Sequence, residues 1–236
     1  VYKIQIIAVS SAFNTCKKIV GVSNCLDENK ILDRSKIRLD SRNEKGWKAE
    51  RGRRSWYYQQ LLKLLAYQSI ALSEDFLIWD ADVLLVQPYS PYDRDKVRFG
   101  IQGNENIDYR DATQSIIGLK VKRSGIVVHQ MLIRKRVLQN MITFVCGSRI
   151  KEDCANVVLG KIPLKSNAHY GLSEYQLYHA WFAHFYPREV RYDEKLRFKR
   201  LNTGQKGLGT DDECRKIETI GTQNLSMLVV EAMAKD

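Results

Sequence analysis

Apolar and polar residues alternate along the chain in a way that predicts both strands and helices. Short apolar runs bounded by polar, Gly or Pro residues predict strands at residues 2–9, 31–37, 76–79, 97–101 and 124–133. Longer stretches without Gly or Pro predict helices at 55–70, 134–146 and 151–159, and another that begins near Gly171 and ends at Pro187. Residues 10–30 could hold a short helix, and the charged, Gly-containing residues 40–54 are predicted to form a loop. This mixed order favours an α/β fold.

The helix predicted at 55–70 has two different faces. One face carries aromatic and polar side chains at helical spacing, namely Trp56, Gln60, Lys63 and Tyr67. The other face is apolar and consists of Leu61, Leu64, Leu65 and Ala66. An amphipathic helix at the boundary of the core explains both faces without any function. Ligand binding by the polar stripe is the alternative.

An acidic pair follows the strand predicted at 76–79. Residues 76–86 read Phe-Leu-Ile-Trp-Asp-Ala-Asp-Val-Leu-Leu-Val, so Asp80 and Asp82 stand between two apolar runs. Two carboxylates this close repel one another unless a cation or water lies between them, and carboxylate oxygens are the ligands that hard divalent cations prefer. A turn in which the Asp side chains bond their own backbone is the alternative. The flanking apolar runs favour a metal site that holds a phosphorylated substrate at the end of a strand.

Two more polar residues lie in apolar surroundings. His129 falls within the strand predicted at 124–133. Two interpretations fit this pattern: a core histidine with hydrogen-bond partners, and a histidine that contacts a ligand. Glu174 lies between Ser173 and Gln176, which together match a capping box for the following helix. A carboxylate in the first helical turn is stabilised by the helix dipole, which explains Glu174 without catalysis. A general base that faces a cleft is the alternative.

Charge and cysteine content narrow the classes of function. The 236-residue chain has a net charge of +11, with 44% apolar and 28% charged residues, which is typical of a globular protein that attracts phosphorylated ligands or polyanions. The Lys- and Arg-rich segments of the chain are not accompanied by a zinc-finger or RNP-type aromatic pattern, which would be typical of a nucleic-acid-binding protein. The five cysteines lack Cys-x-x-Cys spacing, which indicates neither a zinc site nor a disulfide framework and favours reduced thiols. No apolar run approaches the ~20 residues of a transmembrane helix.

Three segments of the chain resemble nucleotide-sugar glycosyltransferases of the GT-A fold. They are Trp-Tyr-x-Gln-Gln-x-x-Lys from Trp56 to Lys63, Asp-x-Asp from Asp80 to Asp82, and Ser-Glu-Tyr from Ser173 to Tyr175. Their order and approximate spacing are similar to those of a poorly characterised family of such enzymes, and the likeness spans roughly residues 50–190.

The resemblance implies a three-layer α/β/α fold with a mixed central sheet. A single GT-A-like domain would then cover residues 1–236. Such domains usually begin with a strand and a loop that hold the nucleotide base, whereas this chain begins with Val1 inside an apolar run. We therefore expect the first strand to be missing through N-terminal truncation. A cytoplasmic location is favoured, or the Golgi lumen if an upstream anchor has been removed.

The resemblance also implies transfer of a sugar from a nucleoside-diphosphate sugar to a hydroxyl acceptor. In GT-A enzymes the Asp-x-Asp carboxylates bind Mn²⁺ or Mg²⁺, which stabilises the charge on the departing nucleoside diphosphate. Asp82 would be the direct metal ligand, and Asp80 would lie near the ribose or a metal-bound water. Further candidates are Arg53, Arg54, Trp56, Gln60 and Lys63 for donor binding, Tyr175 for acceptor binding, His129 for acceptor binding or completion of the metal shell, and Glu174 as the catalytic base if the enzyme inverts.

Two other functions are compatible with parts of the sequence. A haloacid-dehalogenase-like phosphotransferase would use Asp80 as nucleophile, Asp82 as acid/base, and Asp211 and Asp212 as metal ligands, but Leu84 stands where that motif has Thr or Val. A basic nucleic-acid-binding module would bind without the acidic pair and with steep salt dependence. The expected partners are a nucleotide sugar and a glycan or other hydroxyl acceptor, without nucleic acid or a membrane segment.

Overall fold

The chain folds into strands and helices that alternate in sequence. The computed structural model describes residues 7–10, 24–38, 51–68, 72–80, 83–85, 88–101, 106–126, 129–163, 171–194, 198–202 and 227–231. The strands are β1 (Ile7–Ser10), β2 (Asn24–Asp27), β3 (Asp75–Trp79), β4 (Val83–Leu85), β5 (Tyr92–Asp93), β6 (Lys96–Gly100), β7 (Gln130–Arg134), β8 (Val190–Asp193), β9 (Phe198–Asn202) and β10 (Met227–Glu231). The helices are α1 (Glu28–Ile31), α2 (Arg51–Leu65), α3 (Ile107–Ile117), α4 (Lys135–Cys146), α5 (Lys151–Gly160) and α6 (Glu174–Phe185).

The strands pair in both directions, which confirms an α/β protein with mixed sheets. Within the described ranges they form four separate sheets, in the orders β1-β2, β3-β7, β5-β6-β8 and β4-β10-β9. β6 runs antiparallel to β5 and parallel to β8, and β10 runs antiparallel to β4 and parallel to β9. The single central sheet of a three-layer GT-A fold stays a prediction.

The core is built from the buried faces of helices α2 to α6 together with β6 and β7, and β3 packs against it with partly buried residues. The predicted apolar face of α2 is confirmed, because Leu61, Leu64 and Leu65 are almost completely buried. α6 is buried over nearly its whole length, including its first residue, Glu174. A helix so enclosed carries its N-terminal polar residues into the interior, where each needs a partner.

The pairing of β3 with β7 fixes the position of the acidic residue that follows β3. The two strands are antiparallel, with Trp79 opposite Gln130. The ladder continues one residue further, since the backbone N–H of Asp80 donates to the carbonyl oxygen of His129 at 2.9 Å. Asp80 and His129 are therefore neighbours at the end of this strand pair.

Several predicted boundaries are wrong. Residues 31–37 do not form a strand, because Asp27 caps α1 through the N–H of Asn29 and Asp33 caps a 3₁₀ turn through the N–H of Ser35. Residues 51–54, assigned to a loop, form the first turn of α2. The strand predicted at 124–133 begins only at Gln130.

Helix α3 was not predicted from the sequence. Asn106 caps its N-terminus by accepting from the N–H groups of Asp108 and Tyr109. It ends at Gly118, whose φ of 68° is the left-handed conformation that glycine adopts easily at a helix C-terminus. Both capping signals are present in the sequence, but the helix carries polar residues that obscure its apolar face.

A disulfide joins α4 to α5, which corrects the expectation that these thiols are reduced. Cys146, the last residue of α4, is bonded to Cys154 in α5. Both residues are completely enclosed in the core.

Replacing one partner of this disulfide is expected to destabilise the protein. Cys154→Ser should lower the free energy of unfolding by about 2–3 kcal/mol, because the short closed loop no longer restricts the unfolded chain. The measurement is urea unfolding with and without a reductant. The reductant should destabilise the wild-type protein and leave the variant unchanged; an unaffected wild-type protein would contradict the disulfide.

None of the helices in the described ranges is both long enough and apolar enough to cross a bilayer.

Candidate active site

Three segments far apart in the sequence meet at the side chain of Lys63. Its ammonium group forms an ion pair with Asp80 Oδ1 and donates to Glu174 Oε1 at 2.7 Å. The side chains of Lys63 and Asp80 are 14% and 15% exposed, and that of Glu174 is 3% exposed. The cluster thus combines one cation and two carboxylates, largely shielded from water.

Helix α2 holds the start of α6 through the polar stripe predicted from the sequence. Trp56 Nε1 donates to the carbonyl oxygen of Leu172 at 3.0 Å. One turn later, Gln60 Oε1 accepts from the backbone N–H of Glu174 at 3.3 Å. Lys63 is the next member of this stripe, so its ammonium group lies beside the Glu174 carboxylate.

Asp80 is held from two further sides. Tyr175 Oη donates to Asp80 Oδ1 at 3.1 Å, and His129 Nδ1 lies 3.3 Å from Asp80 Oδ2. Lys63 Nζ also lies 4.8 Å from the centre of the Tyr175 ring, within the range of a cation–π contact. These contacts fix the Asp80 carboxylate in one orientation.

The two carboxylates have opposite pKa shifts. Burial alone would raise the pKa of Asp80, but the hydrogen bond from His129 and the charge of Lys63 outweigh it and hold the pKa below its ordinary value. Burial raises the pKa of Glu174, and the neighbouring Asp80 charge adds to this effect, while Lys63 opposes it. Burial would lower the pKa of Lys63, but Glu174 and Asp80 raise it. Lys63 therefore stays charged.

The local charge balance favours a further cation while Glu174 is ionised. With both carboxylates ionised and Lys63 charged, the three side chains sum to one negative charge. Glu174 Oε2 is also buried and has no hydrogen-bond partner among the residues that the structure describes. A buried carboxylate oxygen without a partner is costly, so a bound proton, cation or substrate hydroxyl would stabilise it.

The chemistry of Asp80 suits a divalent cation, although the described residues alone do not enclose one. No group of three His, Cys, Asp or Glu side chains close enough to bind a metal ion occurs in the described part of the chain. Mg²⁺ is usually held by only one or two carboxylates together with substrate phosphates. Asp80 could supply one such carboxylate, with His129 beside it.

The predicted site residues divide into two groups. The structure brings Lys63, Asp80, His129, Glu174 and Tyr175 together, and Trp56 and Gln60 support them from α2. Asp82, and the alternative metal ligands Asp211 and Asp212, lie outside the described residues. Arg53 and Arg54 lie in the first turn of α2, but their side chains are not described.

Two supporting residues were not predicted to contribute to the site. Tyr57 Oη accepts from the backbone N–H of Gly171 at 3.2 Å and so anchors the segment before α6. Gln176 was expected to complete a capping box, and Ser173 Oγ does accept from its N–H at 3.3 Å. The Gln176 side chain instead bonds the backbone of Arg123 and Ile126. The available signal for Tyr57 is its place in the Trp-Tyr-x-Gln-Gln-x-x-Lys segment.

A search against models of known protein families finds no match, and comparison with curated proteins finds no significant match.

Proposed function

We propose that the chain is a metal-dependent glycosyltransferase that moves a sugar from a nucleoside-diphosphate sugar to a hydroxyl acceptor. The observation that carries this proposal is the contact of Lys63 with both Asp80 and Glu174. It places a carboxylate suited to a divalent cation, a permanent positive charge and a second carboxylate of raised pKa in one buried cluster. An inverting transfer of sugar from a nucleoside diphosphate can use each of these groups.

Asp80 and Lys63 would bind the diphosphate end of the donor. A divalent ion on the Asp80 carboxylate would stabilise the negative charge that develops on the departing diphosphate. Tyr175 and His129 keep the carboxylate oriented, which reduces the reorganisation needed when the donor binds. The Lys63 ammonium group lies beside the same carboxylate and adds positive charge near the leaving group.

Glu174 would act as the general base in an inverting reaction. Its Oε1 accepts from Lys63, which leaves Oε2 to accept the hydrogen of an acceptor hydroxyl. Transfer of that proton to Glu174 makes the acceptor oxygen nucleophilic as it bonds to the anomeric carbon and the bond from that carbon to the diphosphate oxygen breaks. Burial raises the pKa of Glu174, which strengthens the carboxylate as a base, and the charge of Lys63 opposes part of that rise.

Donor binding is expected to stabilise the protein only when a divalent cation is present. With Mn²⁺ and a saturating UDP- or GDP-sugar at about a hundred times its Kd, the binding energy of about 2.7 kcal/mol corresponds to a rise in Tm of roughly 5 °C or more. Differential scanning fluorimetry measures this shift. Asp80→Asn should abolish it, because the neutral amide is a weak ligand for a hard cation.

Asp93→Asn is the matched control for this experiment. Asp93 pairs with Arg191 away from the cluster, so its replacement should leave the ligand-induced shift intact. If none of the nucleotide sugars stabilised the wild-type protein, the proposal would be contradicted. Equal protection of the Asp80→Asn variant would exclude Asp80 from the donor site, and protection by nucleic acid alone would favour the nucleic-acid-binding alternative.

A further inference from the structure

A charged cleft, separate from the Lys63 cluster, lies along the C-terminal half of α6. It encloses about 230 Å³ between residues 120–123, α6 and β8, and its polar lining consists of Lys120, Lys122, Arg123, His179, His184 and Tyr192. His179 follows Glu174 by five residues, which is about 7.5 Å along the helix axis. None of the residues of the Lys63 cluster lines it.

The lining of this cleft is strongly positive. It contains three permanently charged cations and no carboxylate. Among the described residues, no carboxylate lies within ion-pair distance of Lys120 or Lys122, and Arg123 pairs only with the highly exposed Glu194 at 3.3 Å. Exposed pairs of this kind are weak, so a better ligand can replace Glu194.

The neighbouring acids are engaged elsewhere. Asp193 pairs with Arg98, and Glu189 pairs with Arg134. The C-terminus of α6 itself opposes an anion with the equivalent of roughly half a negative charge. Three full positive charges outweigh that effect, so the cleft as a whole attracts anions.

Arg123 is held in place before any ligand arrives. Its guanidinium group lies 4.2 Å from the centre of the Tyr192 ring, and its carbonyl oxygen accepts from Gln176 Nε2 at 3.0 Å. A planar guanidinium fixed in this way can bind two oxygens of one anion at once. Arg123 therefore loses little conformational entropy when an anion binds.

His179 contributes a buried polar atom that has no assigned partner. The side chain is 1% exposed, and its Nε2 lies 3.1 Å from Tyr192 Oη. Nδ1 is buried without a hydrogen bond to any residue in the described part of the chain. Burial, aided by the charge of Arg123, lowers the pKa of His179 to about 3, so the ring is neutral. If Tyr192 donates to Nε2, the hydrogen on Nδ1 needs an acceptor.

We propose that this cleft binds a tetrahedral oxyanion, either free phosphate or sulfate or the corresponding group of a monoester. The ligand would be held by Lys120, Lys122 and Arg123, with the buried His179 as a further lining residue. The site is separate from the donor-diphosphate site and does not depend on the proposed function.

Histidine ring NMR on the 236-residue chain tests this site directly. The sequence contains four histidines, so their ring resonances can be assigned by single replacements. Inorganic phosphate added at constant pH and ionic strength should shift His179 and His184 with saturation and leave His129, in the other cluster, unchanged. Sulfate and phenyl phosphate, tested in parallel, show whether the free ion or a monoester binds better.

Charge-matched variants separate a specific site from general attraction to a basic protein. Lys122→Gln combined with Arg123→Gln should weaken phosphate binding roughly tenfold or more, because it removes charge-assisted hydrogen bonds. Lys96→Gln combined with Arg136→Gln removes the same charge at exposed positions and should have little effect. Lys122→Gln alone replaces the double variant if that variant does not fold.

The outcomes that would overturn the proposal are distinct from failure of the proposed function. Equal shifts in sodium chloride, or equal weakening by both double variants, would show non-specific attraction only. A phosphate-induced shift confined to His129 would place the anion at the Lys63 cluster instead. Asp80→Asn should leave phosphate binding in the cleft unchanged, whether or not a nucleotide sugar binds elsewhere.

Discussion

Lys63→Met is expected to lower the free energy of unfolding by about 3–5 kcal/mol at neutral pH, because it leaves buried charge without its partner. The variant retains a side chain of similar length, so the lost packing is small. Asp80 and Glu174 would then remain in a poorly solvated site with no cation between them. Urea unfolding monitored by far-UV circular dichroism measures the change.

A double-mutant cycle shows whether charge is the cause. Glu174→Gln in the Lys63→Met background should recover much of the lost stability, because it removes a carboxylate charge that Lys63→Met leaves without its partner. Lys135→Met is the control, because Lys135 donates to the carbonyl oxygen of Leu72 and pairs with no carboxylate in the described residues. The Lys135→Met substitution should lower the free energy of unfolding by about 1 kcal/mol. Additive effects of Lys63→Met and Glu174→Gln would contradict the coupling.

The pH dependence of stability follows from the two opposite pKa shifts. The folded-state pKa of Asp80 is depressed, so its contribution is present above the ordinary value of 3.8 and is lost as the pH falls through the lower folded value. The folded-state pKa of Glu174 is raised, so its contribution is present below 4.5 and is lost as the pH rises through the higher folded value. Glu174→Gln removes the second effect only, and its stability should therefore vary less above pH 4.5.

Glu174→Gln is also expected to lower the rate of sugar transfer by about 10²–10⁴-fold, the usual contribution of a general base. The amide keeps the size of the side chain and its acceptor oxygen for Lys63, so the fold and the Kd for the donor should change little. Steady-state kinetics and donor titration on the same preparation measure both quantities. The loss should appear in kcat, because the proton is removed only as the acceptor reacts.

The control for this variant is Glu189→Gln. Glu189 pairs with Arg134 and has no contact with the Lys63 cluster among the described residues. It should keep nearly the wild-type rate. Full activity of Glu174→Gln with an inverted product would show that Glu174 is not the base.

The sequence predicts those parts of the fold that depend on local periodicity. α2, β3, α4, α5 and the start of α6 at Ser173 are confirmed, because helical spacing and capping residues act over a few positions. The strand predicted at 31–37 is wrong, since two Asp caps outweigh the apolar residues between them. The sequence does not predict α3, because its capping residues are clear but its apolar face is obscured by polar residues.

Long-range contacts are less accessible to sequence reasoning. The polar stripe of α2 marks Lys63 as a candidate, but nothing local shows that its ammonium group lies between Asp80 and Glu174. The Cys146–Cys154 disulfide depends on how two helices pack, and cysteine spacing gave no sign of it. The cleft lined by Arg123 and His179 is likewise formed by segments that only the fold brings together.

The central claim concerns metal-dependent use of a nucleotide sugar at Asp80. The most direct measurement is release of nucleoside diphosphate from a panel of nucleotide sugars, with Mn²⁺, with Mg²⁺ and with a chelator. We predict that the full-length protein releases diphosphate from at least one donor only when a divalent cation is present, and that Asp80→Asn abolishes the release. Absence of release from every donor, or release unaffected by both the chelator and Asp80→Asn, would contradict the claim.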